Sequence, residues 1–180
     1  MKLTVLERTF SPGLQAPVTY DDWMQVNHSL DSCLESLGVH WLYSLVSEGG
    51  DRSICLFQVS DLDAVREACR EAQMPFQKVW QAELWSDLSP TNLTQASPLI
   101  SAEVKYKPPL TRADYEAEKH EGRECFQELN VQHLISAVAL DGTHSICLFT
   151  ATSAENVRSL FRKVGQPFEK VWKVILIKPS

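Results

Sequence analysis

A chain of 180 residues, 44% hydrophobic and 22% charged, has the composition of an ordinary globular protein and is long enough for two small cores. Its formal net charge of −6, with no run of Lys or Arg, excludes a phosphate-tracking surface for nucleic acid and a basic patch for anionic lipid. No stretch has the apolar length of a membrane span, and Met1-Lys2 passes straight into strand-like residues without a leader, so a cytoplasmic protein is expected.

The first predicted strand runs from Leu3 to Phe10 and closes at Ser11-Pro12-Gly13. A helix follows, capped by Thr19, with Asp21 and Asp22 in its first turn and Gly38 as its stop. Trp23, Val26, Leu30, Cys33, Leu34 and Leu37 recur along it at helical spacing. Val39–Val46 and Ser53–Val59 read as a hairpin across Glu48-Gly49-Gly50-Asp51. Ser60 or Asp61 then caps a second helix that Pro75 ends, and Phe76–Leu84 is the last strand of the set. After a Ser-, Pro- and Thr-rich linker, residues 86–98, the chain repeats itself.

Ser53-Ile54-Cys55-Leu56-Phe57 returns unchanged as Ser145-Ile146-Cys147-Leu148-Phe149, and Lys78-Val79-Trp80 as Lys170-Val171-Trp172. The spacing between partners is constant from Thr19/Thr111 to Leu84/Leu176, and the first strands align through Glu7/Glu103 and Phe10/Tyr106. Thr111 therefore caps a helix ending near Asn130, and Ser153 caps one ending at Gly165. Each repeat, residues 1–85 and residues 99–180, reads βαββαβ, the ferredoxin-like order. The fold class expected is α+β: two tandem ferredoxin-like units, sheets face to face and helices outside, packed as a pseudo-twofold α+β barrel.

Leu6-Glu7-Arg8-Thr9-Phe10, Ile54-Cys55-Leu56-Phe57 and Ala64-Val65-Arg66-Glu67-Ala68 followed by Gln73-Met74-Pro75-Phe76 carry a family resemblance. The chain resembles a small bacterial family of ferredoxin-like domains named after an actinobacterial nickel-binding protein. Most members resemble one half of this chain and pair as homodimers, so the resemblance implies a fused dimer, monomeric or weakly dimeric, with nickel as the implied metal. The histidine that one branch of the family places before the helix-ending proline is Met74 and Gln166 here. The strand-end Glu-Ala-Pro of the family is Gln58-Val59-Ser60 and Thr150-Ala151-Thr152.

Two sets of residues are candidates for a site. His28 with Asp31 shares a helix face in the first copy, and Glu116, His120 and Glu124 form an i−4, i, i+4 set in the second, a pattern able to present ligands to a divalent metal. A solvated helix face is the plainer reading of both. Glu7 and Glu103 project to the face where the partner sheet is expected, and each needs a partner there. Ion pairs of Glu7 with Arg52 or Lys78, and of Glu103 with Lys105 or Lys170, are the plainer alternative. Trp41, Tyr43 and His133 on the second strands share one strand parity and add an aromatic lining for a small ligand. The five cysteines, odd in number and without a CxxC pair, read as reduced thiols, and nothing flanking Cys55 or Cys147 activates either.

No Walker, GxGxxG, HExxH or GxSxG motif is present. Three readings stay open. Binding of a metal or small ligand between the sheets, without catalysis, comes first. A protein-interaction module with a filled core is the second, and a small cofactor-independent monooxygenase or isomerase is the third.

Overall fold

The computed structural model describes residues 2–59, 61–86, 88–95 and 98–179, and the backbone alone at Thr91. Its elements are β1 (Lys2–Thr9), α1 (Tyr20–Ser36), β2 (His40–Ser47), β3 (Arg52–Gln58), α2 (Leu62–Glu71), β4 (Lys78–Trp85), β5 (Leu99–Lys105), α3 (Arg112–Glu121), α4 (Arg123–Glu128), β6 (Gln132–Ala139), β7 (His144–Thr150), α5 (Ala154–Lys163) and β8 (Lys170–Ile177). No described helix is long and apolar enough to cross a membrane.

The strands follow one closed order, β1-β3-β2-β8-β5-β7-β6-β4. This corrects the expected fold class. Two ferredoxin-like units facing each other as separate sheets would leave unpaired N–H and C=O groups along their edge strands, whereas a closed barrel has no edges. The periodicity of each repeat reports its own strands and helices but not the pairing that its edges find.

The chain divides into two compact units, residues 1–82 with 175–180, and residues 83–174. In the first, Leu6, Cys55, Phe57 and Val79 of the strands pack with Trp23, Leu30 and Leu34 of α1 and with Val65, Ala68 and Cys69 of α2. In the second, Ile100, Ala102, Val104, Cys147 and Phe149 pack with Val157, Leu160 and Phe161 of α5. Leu3, Val5, Ile54 and Leu56 alternate with the residues of the first core and are buried as well, so those strands carry buried apolar residues on both faces.

Local signals behave as their chemistry requires. Thr19 and Thr111 each form a capping box, accepting from the backbone N–H of Asp22 (3.2 Å) and Asp114 (3.1 Å). Asp61 caps α2 and Ser153 caps α5, while Ser60, the alternative cap, lies outside the described residues, as do parts of the linker. Gly50 and Gly142 take positive φ in the hairpins, where a Cβ would stand 2.4 Å from the Leu14 carbonyl oxygen and 2.5 Å from that of Leu110.

Two local features depart from the expected pattern. The single helix expected from Thr111 to near Asn130 is divided at Gly122 into α3 and α4. Gly122 occupies the position of the buried Leu30, so it removes the side chain that anchors α1 and adds backbone freedom. Both second strands also carry a bulge, between Trp41 and Tyr43 in β2 and between His133 and Ile135 in β6. The extra residue breaks alternation.

Candidate functional site

The bulge decides which side chains meet. Trp41 pairs with Phe57, which lies in the helix-side core, whereas Tyr43 pairs with Leu56 on the opposite face. Trp41 and Tyr43 therefore do not share a face, contrary to strict alternation. Tyr43 is 2% exposed, and burial raises its phenol pKa far above the ordinary value. Trp41 donates its indole N–H to Ser44 Oγ at 3.0 Å. In the second unit His133 takes the Trp41 position, with Nε2 at 2.8 Å from Ser136 Oγ.

His133 opens onto a cavity of about 350 Å³ between the sheet and α3, α4 and α5. Tyr106, Tyr115, Phe126, Phe149 and Phe161 give it an aromatic wall. A chain of polar contacts crosses its floor: Ser136 Oγ donates to Cys147 Sγ (3.1 Å), Ser145 Oγ lies 3.4 Å from that sulfur, and the Tyr106 hydroxyl lies 2.9 Å from Ser145 Oγ. The Tyr115 hydroxyl donates to the Trp85 carbonyl at 3.0 Å. These groups satisfy one another, so the floor is polar but not hungry for partners. Burial pushes the Tyr115 phenol up to about 12, against a lowering by Ser136, and also raises Tyr106 and the Cys147 thiol.

Charge sits at the rim. Glu118, Glu121, Lys119 and Lys163 line the opening, and Lys163 is held by Glu128. Among the described residues the Glu118 carboxylate has no hydrogen-bond or ion-pair partner, while its backbone carbonyl accepts from the Gly122 N–H at 2.9 Å. Partial burial, then Asp114 and Glu121, raise its carboxyl above the usual value of 4.5.

The first unit fills the matching positions differently. Arg8 stands where the second copy has Val104, Trp23 where it has Tyr115, and Leu30 where it has Gly122. Arg8 is 1% exposed, donates from Nη2 to Asn27 Oδ1 at 2.7 Å, and holds its guanidinium 5.3 Å from the Phe10 ring and 5.2 Å from the Trp23 ring. Asp31, partly buried nearby, has its pKa raised by burial and lowered in turn by Arg8 and His28.

The predicted carboxylates have found partners. Trp80 Nε1 donates to Glu7 Oε1 at 2.7 Å, with Arg52 Nη2 3.6 Å from Oε2, and Trp172 Nε1 donates to Glu103 Oε1 at 3.0 Å. The tryptophans were legible as repeated residues, but their pairing with glutamates was not, because it joins positions far apart in sequence. Lys105, a proposed partner of Glu103, pairs with Glu169 instead at 2.7 Å.

The predicted metal ligands are dispersed. His28, His120, Glu116 and Glu124 are exposed, and Glu116 is bound by Arg112 at 2.9 Å. The division at Gly122 leaves Glu116 and His120 on α3 and Glu124 on α4. Among the described residues no three His, Cys, Asp or Glu side chains gather as a site able to hold a metal ion. The residues present do not fit nickel.

Comparison with known proteins fixes the lineage. The SCO4226-like family, described as nickel-responsive, matches residues 5–81 and again residues 102–174, most of the chain. The chain belongs to the SCO4226-like family. SCO4226 from Streptomyces coelicolor A3(2) is 14% identical over 41% of this chain and 90% of its own, with a TM-score of 0.37. A candidate chlorite dismutase, TA0507, is 11% identical over 97% of this chain and 94% of its own, with a TM-score of 0.56. A mutant chlorite dismutase from Candidatus Nitrospira defluvii is 10% identical over 97% and 90%, with a TM-score of 0.52. At such identities the two dismutase likenesses show a shared fold. No curated protein matches. Both halves of this SCO4226-like chain match one family, so their differences are divergence between copies of one unit.

Proposed function

We propose that this protein binds a small organic ligand without transforming it, in the cavity of the second repeat. The observation that carries this reading is the 350 Å³ aromatic-walled cavity itself, which falls within the size range of small-molecule sites. The contrast between the repeats supports it: positions that hold Trp23 and Leu30 in one copy hold the smaller Tyr115 and Gly122 in the other. Empty apolar space costs stability in a closely packed interior, so a cavity maintained by smaller residues is readily explained by an occupant. The high thiol and phenol pKa values favour binding over nucleophilic or acid–base chemistry.

The test uses N-phenyl-1-naphthylamine, a neutral dye that brightens in apolar cavities. Saturable one-to-one brightening with the wild-type protein is expected, and its loss in His133→Trp, which restores the residue of the first repeat and fills the space. A dye response that is absent, or unchanged in the folded His133→Trp protein, overturns the reading. For nickel, calorimetric titration is expected to give the same response with the wild type and with His28→Ala/His120→Ala. A stoichiometric site lost in that double variant would favour the metal reading instead.

A further inference from the structure

Resting on the cavity reading, we propose that the second repeat takes a small organic cation, a planar amidinium or guanidinium borne on an apolar body, against Tyr106 and Tyr115. The first repeat shows this recognition from within. There a guanidinium belonging to the chain, that of Arg8, lies over Phe10 and Trp23 and 3.7 Å from Cys55 Sγ. The second repeat has rings, a thiol and a hydroxyl at four matching positions, with Tyr106 for Phe10, Tyr115 for Trp23, Cys147 for Cys55 and Ser145 for Ser53, and all but Ser145 line the cavity. What it lacks at that position is the cation: Arg8 has become Val104, which is buried in the core against α5. Arg112 already lies 5.5 Å from the Tyr115 ring centroid, so an incoming cation meets the Tyr106 ring and the part of Tyr115 that lines the cavity.

The acceptor has moved accordingly. Asn27, which accepts from Arg8, is replaced by Lys119, and the carboxylate of the neighbouring Glu118 stands at the rim. Glu121 adds a second negative group there. Of the two lysines that line the cavity, Lys163 is engaged by Glu128. An anion would meet Glu118, Glu121 and the ring faces, and the overall charge of −6 favours the approach of a cation.

Three nearly isosteric compounds decide the matter: cationic benzamidine, neutral benzamide and anionic benzoate, each measured by displacement of the dye and by calorimetry. Benzamidine is expected to bind roughly tenfold tighter than benzamide, with benzoate weakest. Glu118→Gln is expected to weaken benzamidine several-fold and to leave benzamide and the dye unchanged, a separation that a merely structural role would not produce. A folded Val104→Arg variant, supplying an internal guanidinium, is expected to exclude benzamidine. If that variant does not fold, the charge series and Glu118→Gln carry the decision. The proposal is overturned if the dye binds but benzamidine fails to displace it, if benzamide or benzoate competes equally well, or if Glu118→Gln weakens all ligands alike. Absence of dye binding refutes the cavity reading itself.

Discussion

Burying a guanidinium with Nε and Nη1 lacking hydrogen-bond partners is costly, and Arg8 offsets that cost with one strong hydrogen bond and two aromatic faces. Its replacement by a side chain of similar shape is therefore tolerable, but its deletion is not. Arg8→Met is expected to stay within about 1 kcal/mol of the wild type, whereas Arg8→Ala loses about 2–4 kcal/mol by chemical denaturation. Either change removes the charge that lowers the Asp31 pKa, so the Asp31 pKa followed by NMR should rise further. A carboxyl raised in the native state binds more protons there than when unfolded, so stability falls as pH rises from 3.8 through the native pKa. In Arg8→Met that fall extends to higher pH. Glu118 carries the opposite sign for ligand binding, because it is the ionised form that attracts the cation. Its raised pKa, set by burial and by Asp114 and Glu121, means that benzamidine affinity should weaken on acidification before pH reaches 4.5. His133, Lys119 and Lys163 line the same cavity. An affinity for benzamidine that is flat with pH would remove Glu118 from the site.

At the level of elements, one glycine and one bulge account for most of what sequence periodicity could not supply. Gly122 has φ −75° and ψ −8°, values open to any residue, so its role is spatial. A Cβ there would meet the Glu118 carbonyl oxygen at 3.0 Å and Phe126 Cε2 at 3.3 Å, both small displacements from contact. Gly122→Ala is expected to join α3 and α4, to raise Tm by about 2–4 °C from a gain of about 1 kcal/mol, and to weaken the dye as Phe126 is pressed toward the cavity. A lower Tm would mean that the ring cannot yield. The caps at Thr19, Asp61, Thr111 and Ser153 were readable because capping is a local exchange among residues three apart. The face of Tyr43 was not, because a bulge is invisible to period-two reasoning. The cavity was hidden for a related reason: it arises from Val104, Tyr115 and Gly122 acting together across three elements, although the mismatch of each with its repeat partner was open to inspection.

At the scale of the whole chain, the duplication was plain in the sequence, but the closed strand order was not, since edge pairing depends on strands far apart along the chain. Strands β4 and β8 each contribute residues to both compact units, Glu83–Trp85 and Ile175–Ile177 lying beyond the unit that holds the rest of their strand. Both strands continue across that division, so calorimetry and circular dichroism are expected to report one coincident transition. Two separated transitions would show that the units act independently. Trp85 belongs to one of those crossing segments, and its ring centroid lies 5.4 Å from that of Tyr115, in an edge-to-face arrangement. An indole this close to the cavity wall makes the molecule its own optical gauge: quenching or a spectral shift in Trp85 emission can register occupancy directly, with no label attached.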